Sequence, residues 1–451
     1  MTGLTEAIGR FVGSPGFESV PDDVLPIIKA GFIDAAGVLI CGQREMPVPI
    51  VKQYVEQSGQ TAVPEASLFF GAQRISAEAA ALVNATACHV LDYDDVGLRA
   101  HPSTVLAPAI LAEAERRGAS GAAAIRAYLV GYEVWAELNA REPDVMHLKG
   151  WHPTSAVGVV AAAAAVANLI GLDAGKARNA VGLAAGMSGG IVASFGSMMK
   201  SFQVARAAAA GVLAARLAEA GMDGASDALE RSAGLLSAMS PNGAADLSPP
   251  GPGFGKDLAI RTIGLSFKKY PVCYCAHRII DAAIDMAKAH DLQPADVRSV
   301  SARIGDTQIS ILRHHAPKTA LEAKFSIEFA VAASIASRAV GLQELDDGYV
   351  QRSDVQGLMS KVAVERDDSV CPVEPAFCLN DRLTIATKDG RVLDSGDIRF
   401  ARGHARLPLG EGELKRKFLD CCRGSNVDAE RLYGALAGLE DVADVRALTA
   451  H

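Results

Sequence analysis

The sequence is short of several things, and each shortage excludes a class of function. Basic charge is not in excess: 44 Lys and Arg stand against 52 Asp and Glu, a formal net charge of -8, which argues against wholesale nucleic-acid binding. A local basic pocket in an acidic molecule stays compatible with that balance. The first residues, Met1 to Val12, carry Glu6 and Arg10 and no apolar core, so no signal peptide is visible. The apolar run Ala156 to Ile170 is mostly alanine and too short to span a bilayer, and reads as a buried helix, so no membrane partner is expected. Eight cysteines in 451 residues make no dense framework. Cys273-x-Cys275 and Cys421-Cys422 have the wrong spacing for a zinc ribbon or a thioredoxin-like site, and a cytoplasmic protein with reduced thiols fits best. No Gly-x-Gly-x-x-Gly follows a strand pattern and no P-loop is present, which disfavours nucleotide chemistry. Ser103, Ser155 and Ser188 lie in no Gly-x-Ser-x-Gly nucleophile elbow.

What is abundant is apolar: 49% hydrophobic against 21% charged residues, enough for a large globular core and two or three domains. From about residue 3 to 240 the pattern is helical nearly throughout, with apolar residues at three-four spacing in Ala77 to Leu91 and Ser120 to Asn139. Asp173 stands where an N-cap would start a helix from Ala174 to Gly186. Gly158, Gly182, Gly189 and Gly190 interrupt good helix-forming sequence and mark close approaches or breaks. Pro249-Pro250-Gly251-Pro252-Gly253 cannot continue a helix and reads as a loop between domains. Beyond it, Val297 to Ile304 alternates like a strand, and Leu383 to Ala386 and Val392 to Ser395 flank a Lys388-Asp389-Gly390 turn. Ile279 to His290 and Phe325 to Ala339 read as helices, as do Leu414 to Cys421 and Asp428 to Ala437. The expected fold class is mainly α: a helical domain over 1–260, completed by 400–451, and an α+β domain over 261–399.

Four clusters could carry chemistry. His89-Val-Leu-Asp92-Tyr-Asp94-Asp95, followed by His101-Pro102-Ser103, sets three carboxylates within four residues at the end of an apolar helix. Either this is a solvated acidic loop, or it is a buried site that needs nearby cations or a carboxyl kept protonated. A metal held by these side chains is a third reading, although the spacing matches no recognised ligand pattern. His152, in Gly150-Trp-His-Pro-Thr154, is a proton carrier or a packed core histidine. Lys200 lies in a run of Gly, Ala and Met, where it either snorkels to solvent or meets an anion. Lys268, Lys269, His277 and Arg278 would suit substrate carboxylates, or form a solvated basic surface.

Taken in order, these stretches resemble the MmgE/PrpD family, which includes 2-methylcitrate dehydratase, cis-aconitate decarboxylase and iminodisuccinate epimerase. Gly131-Tyr-Glu-Val134, Lys268-Lys-Tyr-Pro271 running to His277, Ala323-Lys-Phe-Ser326 and Lys417-Phe418 extend the likeness over nearly the whole chain. The resemblance implies a large all-helical domain, a smaller α+β lid domain, a homodimer, and an active site at the domain cleft with no metal or organic cofactor. It implies proton chemistry on a small carboxylate substrate, with dehydration, epimerisation and decarboxylation as the possible outcomes. The implied site falls on His101, His152 and Asp92 as catalytic groups, with Lys200, Lys268 and His277 binding the substrate. Two positions depart from the family pattern: Val96 stands where decarboxylase-like members carry threonine, and Gln203 where many members carry histidine.

Overall fold

The computed structural model describes residues 3–14, 20–59, 62–410 and 412–449. It is mainly α-helical with a smaller sheet region, and it divides into two compact units. The first comprises Met1–Leu265 and Gly410–His451, the second Ser266–Leu409.

The core of the first unit is a set of alanine-rich helices that pack closely because their side chains are small. Helix Ala77–Val90 packs against Met199–Glu219, Pro102–Arg117 and Leu25–Gly42, while Gly158–Leu169 packs against Gly121–Ala140 and Met199–Glu219. Side chains from Gly158 to Ala167 are all buried. The approach is so close that a Cβ added at Gly211 would lie against that of Ala162, so only glycine allows this crossing. The caps follow local chemistry. Asp173 accepts the Lys176 N–H at 2.9 Å, and Ser120, placed by periodicity inside helix Gly121–Ala140, instead caps it by accepting the Ala123 N–H at 3.2 Å. Of the four interrupting glycines, Gly158 faces Trp135, Gly182 faces the Ala225 backbone and Gly190 faces Ser155, whereas Gly189 has open space around it.

Among the described residues, Leu25–Gly42 is the one helix long and apolar enough to cross a membrane, and 67% of it is buried within the protein. That burial is what a core helix shows. Asp34 on this helix meets Lys417 Nζ at 2.6 Å, and Phe418 lies against Gly37, so helix Glu413–Cys421 is held to it. A two-residue antiparallel pairing, Ala66–Ser67 with Arg74–Ile75, breaks the otherwise helical first 240 residues. Its backbone and Arg74 are held by the buried Glu115.

The second unit is built on a four-stranded sheet in the order Val362–Asp367, Val297–Gly305, Arg382–Thr387, Val392–Asp394. The last two strands form the hairpin read from Lys388-Asp389-Gly390, with Gly390 at a φ of 91° that favours glycine. The strand Val362–Asp367 pairs parallel to its neighbour and was not foreseen, because it has no buried face of alternating apolar residues. Helices His277–Ala289 and Ile327–Ser337 pack on each other, and the former also covers Arg382–Thr387.

Candidate active site

The acidic loop that ends helix Ala77–Val90 is buried, which removes the solvated reading: Asp92, Asp94 and Asp95 are 5%, 0% and 0% exposed. Each carboxylate is accommodated differently. Asp92 has a φ of 54°, the left-handed position after a helix end that usually falls to glycine. A side chain kept there at a conformational cost of about 1 kcal/mol has a task, and Asp92 Oδ1 receives Lys200 Nζ at 2.7 Å. Lys200 is the second residue of helix Met199–Glu219, where a cation opposes the helix dipole, so Asp92 offsets an unfavourable placement. The lysine thus meets an anion rather than reaching for solvent. Its ammonium also lies 5.6 Å from the centre of the Phe195 ring.

Asp94 Oδ2 accepts from His89 Nδ1 at 2.9 Å and lies 3.2 Å from His101 Nδ1. Burial opposes its charge, but the two imidazoles outweigh burial and hold its carboxyl well below the usual range. His89 is pushed down to about 4, by burial first and against the pull of Asp94, so it is neutral near pH 7. Its Nε2 is buried without a hydrogen-bond partner among the described residues. Among the described residues Asp95 forms no ion pair, and burial and the Asp34 charge push its carboxyl well above the ordinary value. Its oxygens accept the Ser103 N–H at 3.2 Å and Oγ–H at 2.7 Å, and Ser103 Oγ lies 2.6 Å from the Tyr128 hydroxyl. Asp95 therefore also caps helix Pro102–Arg117 from outside its own turn.

His101 is the residue just before that helix. Its Nδ1 lies 2.8 Å from the Asp95 carbonyl oxygen, and its ring is 4.9 Å from that of His89. A tight loop carries it there: Gly97 and Ala100 exchange both backbone hydrogen bonds, with Leu98 and Arg99 at φ 53° and 55°. His152 immediately precedes helix Pro153–Ala156 and is 2% exposed. Its ring lies 6.0 Å from His89 and 4.8 Å from Phe195, and its Nδ1 is 2.7 Å from Gln203 Nε2. Burial, then the charges of His89, Lys200, His101 and His147, hold His152 well below its ordinary value.

The first unit thus brings Asp92, His101, His152 and Lys200 into one cluster. Ligand atoms of His89, Asp92, Asp94 and His101 lie within 4.8 Å of one another and could face a cation. In this structure their charges are met inside the protein, by Lys200 and the imidazoles. Lys268 and His277 belong to the second unit, where both are buried. His277 Nε2 lies 3.2 Å from the Val272 carbonyl, with its ring against Tyr270 and Tyr274. Arg278 is spent on internal carboxylates, Glu374 at 2.7 Å and Asp381 at 3.2 Å, and the solvated basic surface is not formed there. The sequence groups His89 and Asp94 in one cluster without pairing them, and gives no signal for Phe195 or the Ser103–Tyr128 contact. The crowding of acids beside two histidines was the available signal; the partner of each acid was not.

Two family models cover most of the chain: the MmgE/PrpD N-terminal domain over residues 6–248 and the MmgE/PrpD C-terminal domain over residues 270–439. Among curated proteins, the chain is similar to cis-aconitate decarboxylase of Homo sapiens, 27% identical over 99% of this chain and 94% of that protein. It is likewise 27% identical to the Mus musculus protein of the same name, over 99% and 92% of the two chains. With cis-aconitate decarboxylase of Aspergillus terreus it shares 23% identity over 88% and 82%. On these matches the chain belongs to the MmgE/PrpD family.

Proposed function

We propose that the protein is a cofactor-independent lyase that removes a proton beside a carboxylate of a small di- or tricarboxylic acid. The observation that carries this is a buried cluster holding a carboxylate-backed histidine, a second buried histidine and a lysine together. Lys200 offers an ammonium to a substrate carboxylate and lowers the cost of the enolate-like charge that follows proton loss. Asp92 keeps that ammonium in place and is a local acceptor for a proton. The family resemblance alone supports carboxylate binding by Lys268 and His277 and a homodimer, and the sparse, unpatterned cysteines favour a cytoplasmic location.

Dehydration is the first reading: the α C–H bond breaks, its electron pair forms the C=C bond, and the β-hydroxyl leaves with a proton as water. Loss of carbon dioxide from a cis-aconitate-like acid is the second reading, favoured by the names of the curated relatives. Val96 in place of the threonine of decarboxylase-like members weighs toward the first. The test is an NMR assay in deuterated water with 2-methylcitrate, citrate, cis-aconitate, iminodisuccinate and tartrate-like acids. Alkene formation with loss of water supports dehydration, and carbon dioxide release supports decarboxylation. Deuterium exchange without net conversion would assign an epimerase instead, and neither exchange nor conversion would leave a carboxylate-binding protein.

A further inference from the structure

We propose that Gln203 is a positioning residue that locks His152 as a neutral imidazole with its proton on Nε2. His152 then serves as an N–H donor to the developing enolate, and His101 takes the α-proton. This rests on the lyase reading above for its chemical meaning, but the lock itself stands on geometry.

The orientation of the Gln203 amide is fixed by one backbone residue. Its Oε1 accepts the Ile191 N–H at 3.0 Å, and its Nε2 donates to the Ile191 carbonyl at 3.2 Å. Turning the amide over would set N–H against N–H and oxygen against oxygen. The Nε2 group therefore also faces His152 Nδ1 at 2.7 Å, and two donors cannot share that contact, so Nδ1 is the acceptor. The frame is rigid. His152 N–H bonds to the Gly190 carbonyl at 3.0 Å and Val192 N–H to the Gly150 carbonyl at 2.9 Å, zipping the histidine's segment to the segment that orients the amide. Ser155 Oγ donates to the Gln203 carbonyl at 2.8 Å and pins the same residue from the helix side. Burial and the neighbouring His89, Lys200, His101 and His147 disfavour an imidazolium there, and the carboxylates of the cluster are engaged elsewhere, Asp92 by Lys200 and Asp94 by the His89 and His101 rings.

His101 is wired the opposite way. Both partners of its Nδ1, Asp94 Oδ2 and the Asp95 carbonyl, are acceptors, so Nδ1 carries a proton and the neutral form of the ring has its lone pair on Nε2. In the reaction, His101 Nε2 takes the α-proton and becomes an imidazolium beside ionised Asp94. The electron pair left on carbon spreads onto the adjacent carboxylate, where the His152 Nε2–H bonds to it without transferring its proton. His101 then gives its proton to the departing hydroxyl or back to carbon, and the site returns to its starting state. A neutral donor suits this task better than a charged one, since it polarises the enolate without protonating it.

The test reads ring tautomers directly, on the full chain labelled with [15N]histidine and without substrate. His152 is identified as the ring missing from the His152→Asn spectrum. The expected wild-type pattern is protonated Nε2 and bare Nδ1, unchanged from about pH 5.5 to 8.5. In Gln203→Glu, whose carboxylate accepts from Nδ1–H, the proton is expected on Nδ1 and the ring to titrate. A wild-type ring protonated on Nδ1, or one that titrates across the range, would overturn the lock, and this readout needs no variant of Gln203 to fold. With an acid turned over in the panel assay, Gln203→Glu is expected to lower kcat about 100-fold at nearly unchanged KM. Unchanged kcat would overturn the donor role. A locked tautomer in a protein that turns over none of the acids would instead overturn the lyase reading and leave the lock standing.

Discussion

The buried, neutral His89 makes a prediction about acid stability that needs no substrate. Its folded-state value is about 4 against 6.5 for a free imidazole. Because the folded value is depressed, the unfolded chain takes up a proton as pH falls through 6.5 while the folded chain stays neutral until about 4. Stability is therefore complete above pH 6.5 and is lost progressively from there down to pH 4, at ~1.4 kcal/mol per pH unit for one proton. Over that window His89 alone withdraws about 3 kcal/mol, a large share of a typical 5–15 kcal/mol. His147 and His404, also held near 4 by burial, add in the same direction, while Asp381, raised to about 6, opposes them. A difference measurement removes those shared contributions. The perturbation is His89→Gln, whose amide can still donate to Asp94. Urea unfolding followed by tryptophan fluorescence reports the first unit, since Trp135 and Trp151 are the two tryptophans and both lie in it. The stability advantage of wild type over the variant is expected to shrink by about 3 kcal/mol between pH 7 and 4. Two curves that stay parallel over this range would refute a neutral His89 and the charge arrangement around Asp94.

Other outcomes follow from the same geometry. Asp94→Asn removes the charge behind His101 and is expected to lower kcat by about 10²–10⁴-fold with KM little changed, measured on whichever acid the panel identifies. Lys200→Met is expected to weaken binding of that acid, read by calorimetry, and unchanged affinity would remove the lysine from the substrate site. Gly190→Ala combines a φ of 104° with a Cβ 2.7 Å from Ser155; a loss of about 2–3 kcal/mol in the fluorescence-monitored transition is expected. Lys417→Met takes away the ammonium that Asp34 faces at 2.6 Å, and thermal unfolding is expected to show a loss of about 3–5 kcal/mol.

Local signals were legible where a side chain answers to its own neighbours in the chain. Asp173 caps the helix it was read to cap, and the hairpin around Gly390 forms where a Lys-Asp-Gly turn stood between alternating segments. Helices Ala77–Val90, Gly121–Ala140 and Glu413–Cys421 match the periodic runs to within a residue or two. The parallel strand Val362–Asp367 was not legible, since its partner lies some sixty residues away and exposed charged side chains interrupt its pattern. The acidic triplet shows the limit most sharply. Its composition required cations or a carboxyl shifted toward its protonated form, and the partners differ for each acid: Lys200 meets Asp92 from 108 residues away, two imidazoles share Asp94, and burial pushes the Asp95 carboxyl well above its ordinary value.

The division between the two histidines lies further beyond sequence. His101 and His152 each precede a proline that begins a helix, and nothing in those dipeptides separates a proton carrier from a fixed donor. What separates them is the partner of Nδ1, a pair of acceptors for one and an amide N–H for the other. The amide's direction is set in turn by the backbone of a third residue, Ile191, whose side chain has no part in it. A glutamine at position 203 signals only that a titratable group is missing. Its effect on His152 depends on which end of the amide the backbone turns toward the ring. Substitution of Ile191 by another β-branched residue should therefore leave the tautomer unchanged, whereas any change that unzips Gly190 from His152 should release it.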